Sequence, residues 1–160
     1  MPIPPSWLLF LMIALGGLVA VVANTLYPLA RAEEAKARIA RDARALLLPE
    51  IQRNATLVTT IQSNLKACGA PLLIFDVTAW ETISKGGLLL GLKPDEITQL
   101  LNIYSLVYQA NHLLAQLLEA SAGIGSAMAS APQTREVVTQ NLEATLNALR
   151  DAFSAVERNP

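Results

Sequence analysis

The sequence predicts an all-α protein, with one N-terminal transmembrane helix followed by a small antiparallel bundle of three long helices and one short helix. Three observations carry this reading. Residues 7 to 27, WLLFLMIALGGLVAVVANTLY, contain no charged residue. The rest of the chain is rich in Ala, Leu, Glu, Gln and Arg and poor in aromatics, which favours helix over sheet. Its apolar residues recur at alternating spacings of three and four, the pattern of a buried helix face.

The first element is the apolar segment. From Trp7 to Tyr27 a helix rises roughly 31 Å at 1.5 Å per residue, close to the hydrocarbon thickness of a bilayer. Trp7 and Tyr27 stand at its ends, where amphipathic rings favour the membrane interface. Pro4 and Pro5 precede the span and Pro28 follows it, so prolines bracket the helix. A cleaved signal peptide is the competing reading. It calls for a basic leading region and a shorter apolar core, whereas residues 2 to 6, PIPPS, carry no Lys or Arg. The sequence therefore favours a retained anchor over residues 1–30. Gly16, Ala20 and Ala23 or Asn24 share one face of it and offer a small-residue surface for a second membrane helix.

Orientation follows from the flanks. No Lys or Arg precedes the span, while Arg31, Lys36, Arg38, Arg41 and Arg44 follow it closely. Basic residues are retained on the cytoplasmic side. The expectation is a single-pass protein of the cell membrane with its N-terminus outside and its C-terminal domain in the cytoplasm.

Residues 31–48 read as a charged, Ala-rich juxtamembrane stalk, with Glu34, Arg38 and Asp42 at i, i+4 spacing. Pro49 is expected to kink or break the helix there. The domain proper is then 49–160. Its first helix, 49–67, sets Ile51, Asn54, Val58, Ile61, Leu65 and Cys68 in one seam before Gly69 and Pro71 end it. Leu72 to Phe75 is a short apolar run with no strand to pair with, so it reads as a buried extended connector. Thr78-Ala79-Trp80-Glu81 fits a capping box that opens a short helix, 78–85. Gly86, Gly87 and Gly91 supply turns. No Lys-Ser or Lys-Thr follows at the spacing of a phosphate loop.

Pro94, Asp95 and Glu96 open a helix over 94–120. Its polar stripe is narrow: Thr98, Asn102, Ser105, Gln109, His112, Gln116 and Glu119. The other positions are mostly apolar, which places this helix centrally in a bundle. Asn111 falls on the apolar side, as Asn54 does on its own helix. The two amides are expected to pair, because an unpaired buried amide is costly. Residues 121–133 form a small-residue linker. A last helix, 133–157, aligns Val138, Leu142, Leu146, Leu149, Phe153 and Val156 on one face.

Candidate chemistry is sparse. The formal net charge is −1, so no overall field argues for nucleic acid as a partner. The single cysteine, Cys68, cannot form an internal disulfide. The single histidine, His112, lies on the polar stripe without a second His or Cys to share a metal. No catalytic, cofactor-binding or metal-binding residues are predicted, and no cofactor. Asn54-Ala55-Thr56 matches a glycosylation sequon, which has no use in the cytoplasm.

The order Pro49-Glu50-Ile51-x-x-Asn54-x-x-Leu57, then Ala79-Trp80-Glu81, then Tyr104 and Asn111, resembles a loosely defined group of uncharacterised bacterial and archaeal membrane-anchored helical proteins. The resemblance covers about residues 46–118. It implies no activity. It implies that Asn54, Asn111, Trp80, Glu81 and Tyr104 mark the fold.

Three functions are compatible with the sequence. The favoured one is a non-enzymatic interaction module, either a scaffold or an accessory subunit of a larger membrane complex. Its partners are the lipid bilayer and other membrane subunits or a second copy. The second is a signal-sensing helical domain that binds a small ligand. The third is an enzyme of unknown class, for which paired acids or a histidine in a cleft would be needed.

Overall fold

The computed structural model describes residues 6–67, 73–122 and 132–158. They form four α-helices: α1 (Ser6–Lys66), α2 (Thr78–Lys85), α3 (Pro94–Ala122) and α4 (Pro132–Arg158), with a 3₁₀ turn at Leu88–Gly91 between α2 and α3. No strand occurs among the described residues. The ranges of α2, α3 and α4 agree with the sequence patterns to within a residue or two.

The main departure is α1. It runs for 61 residues through both Pro28 and Pro49. Neither proline ends it. A proline inside a helix removes one N–H and leaves the carbonyl four residues earlier without its usual donor. For Pro49 that carbonyl belongs to Ala45, which is exposed and can turn to water. On either side of Pro49, Ala43, Leu47, Glu50 and Ile51 are buried, and this packing holds the helix together across the proline. Tertiary burial outweighs the local penalty.

Burial also moves the domain boundary. Where α1 is described before Ile39 it is exposed throughout, and burial starts at Ala40. The second half of the segment expected to be a solvated stalk is therefore core, contributing Ala40, Ala43 and Leu47. The apolar part of α1 is uncovered, with Phe10, Met12 and Ile13 each at least 69% exposed. α1 is the one described helix long and apolar enough to cross a membrane, and that stretch lies near the N-terminus.

The core joins α1, α3 and α4. Val58 and Ile61 come from α1, Ile103, Val107 and Ala110 from α3, and Leu142, Leu146, Leu149 and Phe153 from α4. Leu65, placed in the seam by its spacing, is only partly buried at the edge of this core. Every residue of the α3 polar stripe is exposed, as its spacing predicts, but so are Leu101, Tyr108 and Leu118 on the apolar side.

Side-chain bonds trace the course of the chain. Asn54 meets Asp76, Glu50 meets Ala79 and Trp80, and the Ile39–Ala40 turn of α1 faces Gly91. Residue numbers fall on α1 as they rise on the other segment, so residues 75–91 run back along α1. Arg44 then meets Glu96 and Glu50 meets Tyr104, with numbers rising together. At these contacts α3 follows α1 in direction rather than opposing it, because the connector and α2 have already made the return. Gly91 allows the return leg to close on α1. A Cβ there would stand 2.7 Å from both the Ala40 nitrogen and Ile39 Cγ2. Gly87 turns the chain out of α2 with φ of 71°, a left-handed conformation that suits glycine.

Candidate functional site

The most organised polar region of the described residues surrounds Glu50. Its position follows from helical phase: Ala43, Leu47, Glu50, Asn54, Val58 and Ile61 are spaced by four or three, so Glu50 shares the core face of α1. Glu50 and Asn54 are each 1% exposed.

The Glu50 carboxylate caps α2. Oε2 accepts the Ala79 N–H at 2.6 Å and Oε1 accepts the Trp80 N–H at 3.3 Å. Asp76 Oδ1 accepts the Thr78 N–H at 3.0 Å. The first N–H groups of a helix lack internal partners, and negative charge is favoured there. Here they are met by a carboxylate from a distant helix and one from the connector. The local capping box expected at Thr78 and Glu81 does not form, since Val77 is the cap residue and makes no side-chain cap bond. Glu81 bonds instead to Lys85 at 2.8 Å and to the Tyr108 hydroxyl at 3.4 Å. One half of a capping box does occur at the start of α3, where Glu96 Oε2 accepts the Lys93 N–H at 2.9 Å.

Tyr104 completes the group. Its hydroxyl donates to Glu50 Oε1 at 2.6 Å, and its ring stacks on Trp80 with centroids 4.6 Å apart and planes 8° from parallel. Burial, followed by the neighbouring Glu50 carboxylate, pushes the Tyr104 hydroxyl well above its ordinary pKa. The hydrogen bond from the Thr78 N–H, then the Thr78 side chain, and the charge of Arg53 beside it hold Asp76 below the usual carboxylate range. Arg53 Nη2 lies 2.9 Å from Asp76 Oδ2.

Asn54 and Asn111 do not bond to one another. Asn54 Nδ2 donates to the Asp76 carbonyl at 2.7 Å, and its Oδ1 accepts the Asp76 N–H at 3.0 Å. Asn111 Oδ1 accepts the Phe75 N–H at 2.8 Å, and its Nδ2 donates to the Phe75 carbonyl at 3.0 Å. Each amide therefore acts on the connector as a neighbouring strand would. The expected amide pair is replaced by two clamps on adjacent residues. The physical reason is that residues 73–77 form neither helix nor sheet, so buried Phe75 brings in backbone groups that need partners.

The remaining predicted residues spread along α1. Tyr27 is exposed and carries the Arg31 guanidinium 5.0 Å from its ring centre. Gly16, Ala20, Ala23 and Asn24 are exposed. Lys36 pairs with Glu33 at 3.3 Å, Arg38 and Arg41 are exposed, and Arg44 pairs with Glu96 at 2.6 Å. The Trp7 side chain and Cys68 lie outside the described residues. His112 is exposed and meets Gln116 at 3.0 Å through Nε2. Among the described residues no group of three or more His, Cys, Asp or Glu converges as a metal site would.

Sequence reasoning missed Glu50 as a site residue. Its signal was the phase shared with Leu47 and Asn54, masked by the expectation that Pro49 would break the helix. It also missed a groove of about 350 Å³ lined by Arg44, Leu47, Leu48, Ile51, Leu100 and Val156 among others.

The donors and acceptors around Glu50 meet each other rather than an open cleft, and no buried side-chain polar atom among the described residues lacks a partner. Chemically the group is a tie: α1 and α3 grip the connector and the start of α2. No protein-family model matches the chain, and neither a curated protein nor a solved structure matches it.

Proposed function

We propose that the protein is a single-pass membrane anchor presenting a non-enzymatic helical interaction module at the cytoplasmic face, as a scaffold or as an accessory subunit of a larger membrane complex. The observation that carries this is the continuity of α1. One helix holds the uncharged apolar stretch at its exposed end and Glu50 and Asn54 at its packed end. An interaction role is further supported by exposed Leu101, Tyr108 and Leu118 on the apolar side of α3, and by Gly16 and Ala20 on the apolar stretch. The non-enzymatic reading is supported by Glu50 and Tyr104, whose polar atoms are engaged by α2 and by each other. Arg31, Lys36, Arg38 and Arg41 support an N-terminus outside and a domain inside.

Mild-detergent purification from native membranes, with crosslinking before lysis, tests the reading. Membrane proteins crosslinked at α3 or at the apolar stretch in near-equal amount are expected. A chain that elutes alone, or one digested beyond residue 31 by protease added outside the cell, overturns it.

The groove favours a second reading, in which a small ligand bound between α1, α3 and α4 biases the helix that leads to the membrane.

A further inference from the structure

We propose that the groove at the Arg44 end of the domain binds a single-chain carboxylic acid amphiphile, a fatty acid of medium length. This rests on the ligand-sensing reading.

The walls of the groove are apolar: Leu47, Leu48 and Ile51 of α1, Leu92 before α3, Leu100 of α3 and Val156 of α4. Gln52, Gln99, Arg44 and Glu96 supply its polar edge. The hydrogen bonds at that edge are unevenly used. Glu96 Oε1 takes both Arg44 Nε, at 3.1 Å, and Arg44 Nη2, at 2.6 Å, while Oε2 takes the Lys93 N–H. Both carboxylate oxygens are thus engaged. A guanidinium has five N–H donors, so Arg44 keeps three that make no bond among the described residues. Burial works to raise the Glu96 carboxyl, but the Lys93 backbone N–H and then the Arg44 guanidinium outweigh it and hold the group below its ordinary range. Arg44 and Glu96 balance in formal charge, but the edge is rich in donors, and the unused guanidinium N–H groups match a head with acceptor oxygens.

Size and place narrow the class. Taking a methylene as comparable to the ~30 Å³ share of one water, 350 Å³ holds about a dozen heavy atoms. That is one medium chain and too little for a two-chain lipid. With Tyr27 at the membrane boundary, Arg44 stands roughly 26 Å further along α1, well past a headgroup layer several Å deep. A phospholipid seated in the bilayer does not reach it. A free acid does.

The test uses the full chain in nanodiscs and a photoreactive dodecanoate, with crosslinks mapped by mass spectrometry. Amine and alcohol probes of the same chain length run alongside. Crosslinks are expected at residues 47–52, 92–100 and 156, and excess unlabelled dodecanoate should remove them. Arg44→Gln should weaken dodecanoate competition at least ten-fold and leave the alcohol within two-fold. Leu48→Asp, at an exposed position on the groove wall, should weaken both acid and alcohol. Alcohol or amine binding in the groove without the acid overturns the proposal and leaves a ligand-sensing domain. Crosslinks confined to the apolar stretch, with all three probes, overturn both. Equal loss of acid and alcohol in Arg44→Gln overturns the assigned role of Arg44 and with it the acid specificity.

Discussion

In a Glu50→Gln variant the side chain keeps its size and loses one acceptor. The native carboxylate takes the Ala79 N–H on one oxygen, and the Trp80 N–H and Tyr104 hydroxyl on the other. With the new NH₂ at the first position, it meets the Ala79 N–H donor to donor. With the NH₂ at the second position, Tyr104 can rotate its hydroxyl and accept, and only the 3.3 Å bond to Trp80 is lost. The second arrangement costs less, though Ala79 then has a neutral acceptor. Bonds to charged groups contribute about 1.5–3 kcal/mol and neutral ones about 1 kcal/mol, so Glu50→Gln should destabilise by about 1–3 kcal/mol. Glu50→Ala removes the acceptor for all three donors in a site where the residue is 1% exposed. Each stranded donor costs about 1–3 kcal/mol, reduced where water enters, so about 3–5 kcal/mol is expected in total. Guanidinium unfolding of the full chain in micelles measures both, with Trp7→Phe as background so that Trp80 alone reports. Hydrogen exchange at the Ala79 and Trp80 amides gives the local effect and should accelerate in both variants. A Glu50→Ala variant within about 1 kcal/mol of wild type, or unchanged exchange at those amides, would refute the capping argument.

Four further outcomes follow from the same geometry. Asn54→Leu and Asn111→Leu should each cost about 1–3 kcal/mol, and the double variant less than their sum, because releasing the connector at one clamp weakens the other; additivity within about 0.5 kcal/mol would count against coupled clamps. Gly91→Ala should lower the melting temperature by an amount equivalent to about 1–3 kcal/mol, since its Cβ meets α1 at 2.7 Å; a melt indistinguishable from wild type would show that the 3₁₀ turn shifts freely. Asp76 has a folded pKa below its ordinary 3.8, so its stabilisation is present above that value and lost as pH falls through the lower folded value. Asp76→Asn should flatten the acid limb of stability below about pH 4, and an unchanged slope would argue against it. Tyr104 is raised from 10.0, so its stabilisation is complete below pH 10 and is lost as pH climbs toward the higher folded value; in an absorbance titration of wild type against Tyr104→Phe, the Tyr104 increment should appear only well above pH 10, and an increment centred at pH 10 would contradict its burial.

Periodicity made most of the helices legible. Leu142, Leu146, Leu149 and Phe153 were readable as one face, and all four are buried. Asn54 and Asn111 were recognisable as polar residues in apolar phase, but their partners were not. Those partners are main-chain groups of Phe75 and Asp76, and backbone groups carry no letter in the sequence. Pro28 and Pro49 misled because local penalties were weighed without the burial that offsets them. The acids misled in a related way: Glu81 seemed poised to cap its own helix, while Glu50, 29 positions before the Ala79 N–H it accepts, does so across the core. A non-local cap of this kind has no spacing rule. The groove, built from three helices, was invisible for the same reason.

The unbroken α1 gives the molecule the kinematics of a screw. Each residue added to a helix advances it by about 1.5 Å and turns it by about 100°. With the apolar stretch seated in a bilayer, as proposed above, reach from the bilayer and compass heading around the membrane normal become a single variable for this domain. One residue inserted into the exposed stretch before Ile39 would barely lift the domain, yet would swing the face bearing α2 by more than a quarter turn. Seven inserted residues would lift it by about 10 Å and leave its heading within about 20° of the original. In the proposed anchored arrangement, a neighbour in the membrane that meets this domain side-on meets it at one bearing, set by the residue count between Tyr27 and Ala40.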